Sequence, residues 1–194
     1  MEVIKRILQD SIANRLKPGK AVLVFGARRV GKTVLLKRLV QEYQGKTLLL
    51  NGEDYDAMAL LEHRSIANYR HLLEGIDLLA IDEAQNIPDI GHKLKLIVDE
   101  MEGVSVLASG SSSFDLLNKA GEPLVGRSTQ FLLTPFSHKE LAQVESALDV
   151  KQNLEARLIY GSYPEVVTLK RFEQKVDYLR EMVGAYLLKD ILSL

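Results

Sequence analysis

Residues 26–33 read Gly-Ala-Arg-Arg-Val-Gly-Lys-Thr and stand between two stretches of different periodicity. Before them, Ala21-Val22-Leu23-Val24-Phe25 is a short continuous apolar run, as expected of a strand buried on both faces of a parallel sheet. After them, Val34, Leu35, Leu36, Leu39, Val40 and Tyr43 recur at helical spacing, with Gly45 where the helix would stop. A strand that turns through a glycine loop directly into a helix brings the free N–H groups and positive dipole end of that helix to the sheet edge. That arrangement attracts an anion, and it restricts the fold to a parallel α/β sheet.

The octapeptide matches G-x-x-x-x-G-K-[ST], with Gly26, Gly31, Lys32 and Thr33 in the fixed places. Glycines let the backbone wrap a phosphate without a Cβ in the way. Lys32 then supplies a point charge to the β and γ phosphates, and the Thr33 hydroxyl supplies one ligand to Mg²⁺. The candidate nucleotide contacts are the loop residues Gly26, Ala27, Arg28, Arg29, Val30, Gly31, Lys32 and Thr33, with Val34 after them. Arg28 and Arg29 either touch phosphates or face solvent, and at least one is expected to face solvent.

The same alternation continues. Thr47 to Leu50 reads as a strand, Ala57 to Leu73 as a helical stretch, and Leu78 to Ile81 as a strand. A helix over Gly91 to Met101, a strand over Val104 to Leu107 and a fifth strand over Thr129 to Leu133 complete the pattern. The third strand runs into Asp82 and Glu83. At the carboxyl edge of a sheet, Asp82 would hold Mg²⁺ directly or through water, and Glu83 would polarise a water for in-line attack. The alternative makes both carboxylates simple helix-start acids.

Composition narrows the function classes. Twenty-five Lys and Arg against 26 Asp and Glu leave a net charge of −1, so no overall basic field exists to hold nucleic acid nonspecifically. The absence of cysteine excludes disulfide scaffolds, thiolate zinc sites and cysteine nucleophiles, and it suits a reducing cytoplasm. His63, His71, His92 and His138 show no metal-ligand spacing. No apolar run approaches the roughly 18 residues that would span a bilayer, so a soluble, cytoplasmic protein without membrane contact is expected. The N-terminal stretch reads as a helix, with Ile4, Ile7, Leu8, Ile12 and Leu16 on one stripe.

From about His138 strand-like runs give way to helical ones, broken at Gly161-Ser162-Tyr163-Pro164. We therefore expect a core over residues 1–137 and a small helical, lid-like segment over 138–194. The apolar end at Ile191, Leu192 and Leu194 leads to the expectation that the natural protein continues. Asn51, Glu53 and Asp54 are expected to cap the next helix, and Tyr160 and Tyr163 to pack in a core rather than against a base.

The pattern resembles the P-loop ATPases of the additional-strand type, and within them the AAA-type superfamily. That resemblance implies a five-stranded parallel sheet of order 5-1-4-3-2 with helices on both faces, in which Val104 to Leu107 is the inserted strand. It also implies a polar residue at that strand's tip, called sensor 1, that positions the attacking water. Ser109 and Ser111 are the candidates, although serines 111–113 would serve equally as a helix N-cap. More narrowly, GARRVGKT, IDEAQNIP, the ASGSSS tip, Val125-Gly126-Arg127, Leu133 to Leu141 and Gly161 to Val167 resemble bacterial and archaeal AAA-type ATPases with a separate C-terminal domain of unknown function. Members usually continue well beyond this length. The resemblance makes Arg127 a candidate arginine finger for a neighbouring subunit's γ-phosphate, against a solvated or ion-paired arginine.

Guanine is disfavoured as the base, since Asn118-Lys119-Ala120-Gly121 lacks the acidic residue of N-K-x-D. The adjacent carboxylates suit water activation better than transfer to a hydroxyl, which ranks a small-molecule kinase second. The sequence thus leads to an ATPase that binds ATP and Mg²⁺, with Lys32, Glu83, Ser109, Ser111 and Arg127 as catalytic candidates and Thr33 and Asp82 on the metal. The alternative is a nucleotide-gated switch or adaptor with little turnover, recruiting a protein or DNA partner or a second copy through the helical segment.

Overall fold

The computed structural model describes residues 4–110 and 124–184. These residues pack as two units, one of residues 7–27, 32–110 and 124–133, the other of residues 4–6, 28–31 and 134–184.

The larger unit is built on a sheet of five strands: β1 (Ala21–Phe25), β2 (Thr47–Asn51), β3 (Leu78–Asp82), β4 (Ser105–Gly110) and β5 (Ser128–Leu132). Their order is β2-β3-β4-β1-β5, which is 5-1-4-3-2 read from the other edge, and every neighbouring pair is parallel. All residues of β1, β3 and β4 are buried, whereas the edge strands β2 and β5 are mostly half-buried or exposed. This explains why the apolar runs at 21–25 and 78–81 are continuous rather than alternating.

The helices of this unit are α1 (Leu8–Ala13), α2 (Lys32–Glu42), α3 (Tyr55–Leu60), α4 (Ile66–Leu72) and α5 (Ile90–Glu100). Leu79 and Ile81 of β3 share one core with Leu61, Tyr69 and Leu73 around α3 and α4, and with Ile90, Leu94 and Ile97 of α5. Full burial of each such side chain contributes about 1.5–3 kcal/mol.

Three expected elements differ. The single helix over Ala57 to Leu73 is two helices, because Ser65 takes an extended backbone and its hydroxyl caps α4 by accepting from the Asn68 amide. A cap starts a new helix where periodicity alone reads a continuous one. Among the described residues the N-terminal helix covers only Leu8–Ala13, and Arg6 belongs to the smaller unit. The inserted strand runs to Gly110, so Ser109 lies within β4 rather than on a loop tip.

The smaller unit carries α6 (His138–Leu141), α7 (Ala147–Gln152), α8 (Leu154–Tyr160), α9 (Pro164–Thr168) and α10 (Phe172–Met182). Ser137 and Ser146 begin α6 and α7 with capping boxes closed by Glu140 and Asp149. A small core of Val166, Tyr178 and Met182 gathers Tyr160, Tyr163, Leu169 and Leu179. The Tyr160 ring stacks on Phe172 at 5.7 Å, so both tyrosines pack as core residues here.

Candidate functional site

β1 ends at Phe25 and α2 begins at Lys32, so the glycine loop spans the intervening residues as the motif requires. Arg29 (φ 62°) and Gly31 (φ 97°) both take positive φ. A non-glycine residue at 31 would be strained by its φ alone. The Lys32 side chain is only 5% exposed, and its ammonium folds back across the loop to donate to the carbonyls of Gly26 and Ala27, each at 3.0 Å. A cation is thereby held over the loop. Thr33, on the first turn of α2, is half-buried.

Asp82 is the last residue of β3 and is 8% exposed. The β3–β4 register, Ile81 beside Ala108, carries Asp82 alongside the fully buried Ser109, whose hydroxyl donates to Asp82 Oδ1. Glu83 follows in the left-handed region (φ 48°, ψ 43°) and starts a 3₁₀ turn, Ala84–Asn86, without capping it. A non-glycine residue there costs on the order of 1–3 kcal/mol, and such strain tends to gather at functional sites. Its Oε2 accepts from Gln85 Nε2 at 2.5 Å. The Glu83 carboxylate therefore does not cap this turn.

Gly52, which the sequence reading passed over, completes this edge. Its N–H donates to the Asp82 carbonyl at 2.8 Å, and a Cβ at 52 would stand 2.3 Å from the Glu83 carbonyl oxygen. The readable signal was a glycine directly after a strand at the carboxyl edge. Of Asn51, Glu53 and Asp54, Asp54 is the cap of α3, accepting from Asp56 N, whereas Asn51 Oδ1 accepts from Glu53 N ahead of the helix.

Arg127 lies elsewhere. Its carbonyl accepts from Ala21 N at the start of β1, so it sits at the amino-terminal edge of the sheet. Four residue steps of roughly 3.3 Å separate that edge from Phe25, where the glycine loop begins. Its Nε pairs with Asp99 at 2.6 Å. Arg127 is thus placed at the opposite end of β1 from Phe25 and is ion-paired there. Ser111, with the serines that follow it, lies outside the described residues, as does Asn118-Lys119-Ala120-Gly121.

In the smaller unit, Arg29 stands over the Tyr178 ring at 5.3 Å, so it is engaged by an aromatic face, and burial raises the Tyr178 phenol above its ordinary pKa. Arg28 is exposed. Among the described residues no group of three or more His, Cys, Asp or Glu side chains is placed to hold a metal ion.

Comparison with known proteins agrees with this geometry. The family model described as an AAA domain matches residues 18–142, well over half of the chain. The chain belongs to this AAA domain family. Its parallel five-stranded sheet of order 5-1-4-3-2 is the α/β, P-loop-like fold of that family. An uncharacterized protein of Methanocaldococcus jannaschii is 22% identical over 210 residues, which cover 100% of this chain and 47% of the relative. An uncharacterized protein of Mycobacterium tuberculosis is 28% identical over 197 residues, covering 100% of this chain and 41% of the relative. The chain therefore spans less than half the length of these relatives. Among solved structures, the Walker-type ATPase of Pyrococcus abyssi aligns with a TM-score of 0.60 at 14% identity, covering 98% of this chain and 75% of that one. Among the described residues no helix is long and apolar enough to cross a membrane.

Proposed function

We propose that this AAA domain binds ATP with Mg²⁺ and hydrolyses it to ADP and phosphate, coupling the cycle to a conformational change. The observation that carries the reading is the Lys32 ammonium, nearly buried and held over the loop by the Gly26 and Ala27 carbonyls at the start of α2. An ammonium placed there suits a polyphosphate, since charge-assisted hydrogen bonds to phosphate oxygens are among the strong ones.

The donor set suits magnesium. A hydroxyl and a carboxylate are hard oxygen ligands, and Mg²⁺ keeps several waters, so the two protein ligands Thr33 and Asp82 suffice without a three-carboxylate cluster. When bound, the ion would supply positive charge that offsets the phosphate charge. The chain's own residues do the rest. The loop amides of 26–33 and Lys32 cradle the phosphates, and Ser109 orients the Asp82 carboxylate. Glu83, raised by its left-handed backbone beside the buried Asp82, orients the attacking water and accepts its proton as the γ-phosphoryl group passes to it.

The position of Arg127 favours slow turnover by an isolated chain, because a finger at the amino-terminal edge serves only a neighbouring subunit. That favours, as a second reading, a nucleotide-gated switch that recruits a protein partner or a second copy through residues 138–194 in the cytoplasm. DNA recruitment has no support from a net charge of −1.

Calorimetric titration with ATP and with GTP, each with and without Mg²⁺, tests the site. ATP should bind, and the ion should tighten it. Lys32→Ala removes a charged hydrogen-bond donor worth about 1.5–3 kcal/mol and should weaken ATP affinity by roughly 10- to 100-fold. Undiminished affinity in that variant would refute the reading.

A further inference from the structure

Arg6 lies far outside every motif of the sequence, yet its guanidinium is the most committed polar group of the smaller unit. It is 7% exposed, and each of its three nitrogens is used. Nε pairs with Glu140 Oε1 at 2.9 Å, Nη1 donates to the Val30 carbonyl at 2.9 Å, and Nη2 donates to the Thr134 carbonyl. The guanidinium also lies 4.6 Å from the centre of the Phe136 ring.

Glu140 is shaped for this contact. Its Oε2 closes the capping box on Ser137, accepting from the backbone N–H at 2.7 Å and the hydroxyl at 3.0 Å, which leaves Oε1 for Arg6. A helix of four residues at a surface needs no buried glutamate, yet Glu140 is 4% exposed. A buried ion pair adds little net stability compared with apolar packing, but a planar fork with fixed donor directions imposes geometry on what it binds.

The element so held is the tip of the phosphate loop. No peptide bond among the described residues is cis, so the Val30 carbonyl and the Gly31 N–H point in opposite directions from one rigid plane. Anchoring the oxygen therefore sets the direction of the amide. The charged donor also polarises the peptide and strengthens its N–H as a donor. Gly31 is close by: a Cβ placed there would stand 3.8 Å from Arg6 Nη1 and 4.0 Å from the Pro164 ring.

We propose that Arg6, held by Glu140, is a positioning residue that presets the Gly31 amide to receive a phosphate oxygen. The proposal rests on the reading of residues 26–33 as a phosphate loop. The nucleotide-free protein would then carry a loop ordered in advance, and part of its affinity for phosphates would come from a residue that touches none of them.

The test combines nitrogen-15 NMR of the nucleotide-free protein with calorimetry of ADP and of pyrophosphate, for wild type, Arg6→Lys, Arg6→Ala and Lys32→Ala. Both Arg6 variants should shift the Gly31 amide resonance and raise its hydrogen-exchange rate without nucleotide. Both should also weaken ADP and pyrophosphate alike by about tenfold, the scale of one charged hydrogen bond. Free guanidinium ion should partly restore Arg6→Ala. A fall in melting temperature with ADP affinity within twofold of wild type, and an unmoved Gly31 resonance, would overturn the proposal and leave Arg6 a purely structural residue. If Arg6→Ala does not fold, Arg6→Lys, which keeps the charge without the fork, decides by the same readouts. Should wild type bind neither ADP nor pyrophosphate, the phosphate-loop reading fails, and an unmoved Gly31 resonance would separately reject the Arg6 contact.

Discussion

Gly52 and Glu83 meet backbone to backbone: a Cβ on Gly52 would stand 2.3 Å from the Glu83 carbonyl oxygen and 3.0 Å from its carbonyl carbon. The proposed water-orienting carboxylate is thus seated in its left-handed conformation by the absence of a side chain on the neighbouring strand end. Gly52→Ala forces the 82–83 backbone to move, and overpacking of this kind costs about 1–3 kcal/mol. Turnover should fall by tenfold or more while ADP affinity changes little, because the displaced group acts on water rather than on the phosphate loop. Steady-state kinetics beside calorimetry checks this; equal losses in both would place the close approach outside the catalytic geometry.

Ser109 donates to Asp82 Oδ1 from a fully buried position. Ser109→Ala leaves that carboxylate free to turn. The Mg²⁺ concentration that half-saturates turnover is expected to rise several-fold, whereas ADP binding without metal should be unaffected. The buried partner loss should also lower stability by about 1–3 kcal/mol. A metal titration of the variant that overlays wild type would remove Ser109 from the metal site.

The Arg127–Asp99 pair is exposed at 43% and 31%, so it contributes about 0–1 kcal/mol at most. Arg127→Ala should therefore leave the melting temperature and nucleotide affinity near wild type. If the side chain serves a neighbouring subunit, turnover per wild-type chain rises with protein concentration and that rise vanishes in the variant. A loss of affinity in dilute Arg127→Ala would contradict the placement at the far sheet edge.

Tyr69 sets an alkaline limit on stability. It is fully buried, and burial pushes its phenol up to about 12. An unfolded tyrosine ionises near 10, so between about 10 and 12 the unfolded chain releases a proton that the native chain keeps. Fewer protons on the unfolded state mean stability falls as pH rises, by about 1.4 kcal/mol per unit across that window. Tyr69→Phe removes this component, and the long 3.5 Å bond to the Leu61 carbonyl is a small loss. Melting curves at pH 8 and 11 should converge more in Tyr69→Phe than in wild type.

The strands at 21–25 and 78–81, the glycine loop and the acidic pair were legible in the residues because each is a local pattern. A continuous apolar run, a helical period and a fixed spacing act over ten residues or fewer. The break between α3 and α4 was also local, in the Ser65 cap, but the apolar period ran through it and masked the signal.

What chain order could not reveal depends on meetings across long separations. Ser109 reaches Asp82 only because β4 lies beside β3, and Arg127 is far from the loop only because β5 starts where β1 starts. Arg6 and Glu140 are 134 positions apart, and neither belongs to a motif that announces the other. Local propensity writes an element into its own residues, whereas a buried charge becomes tolerable only beside a partner that folding delivers. The glycine-loop pattern was therefore present in one short stretch of residues, and the way its tip is held was decided by packing.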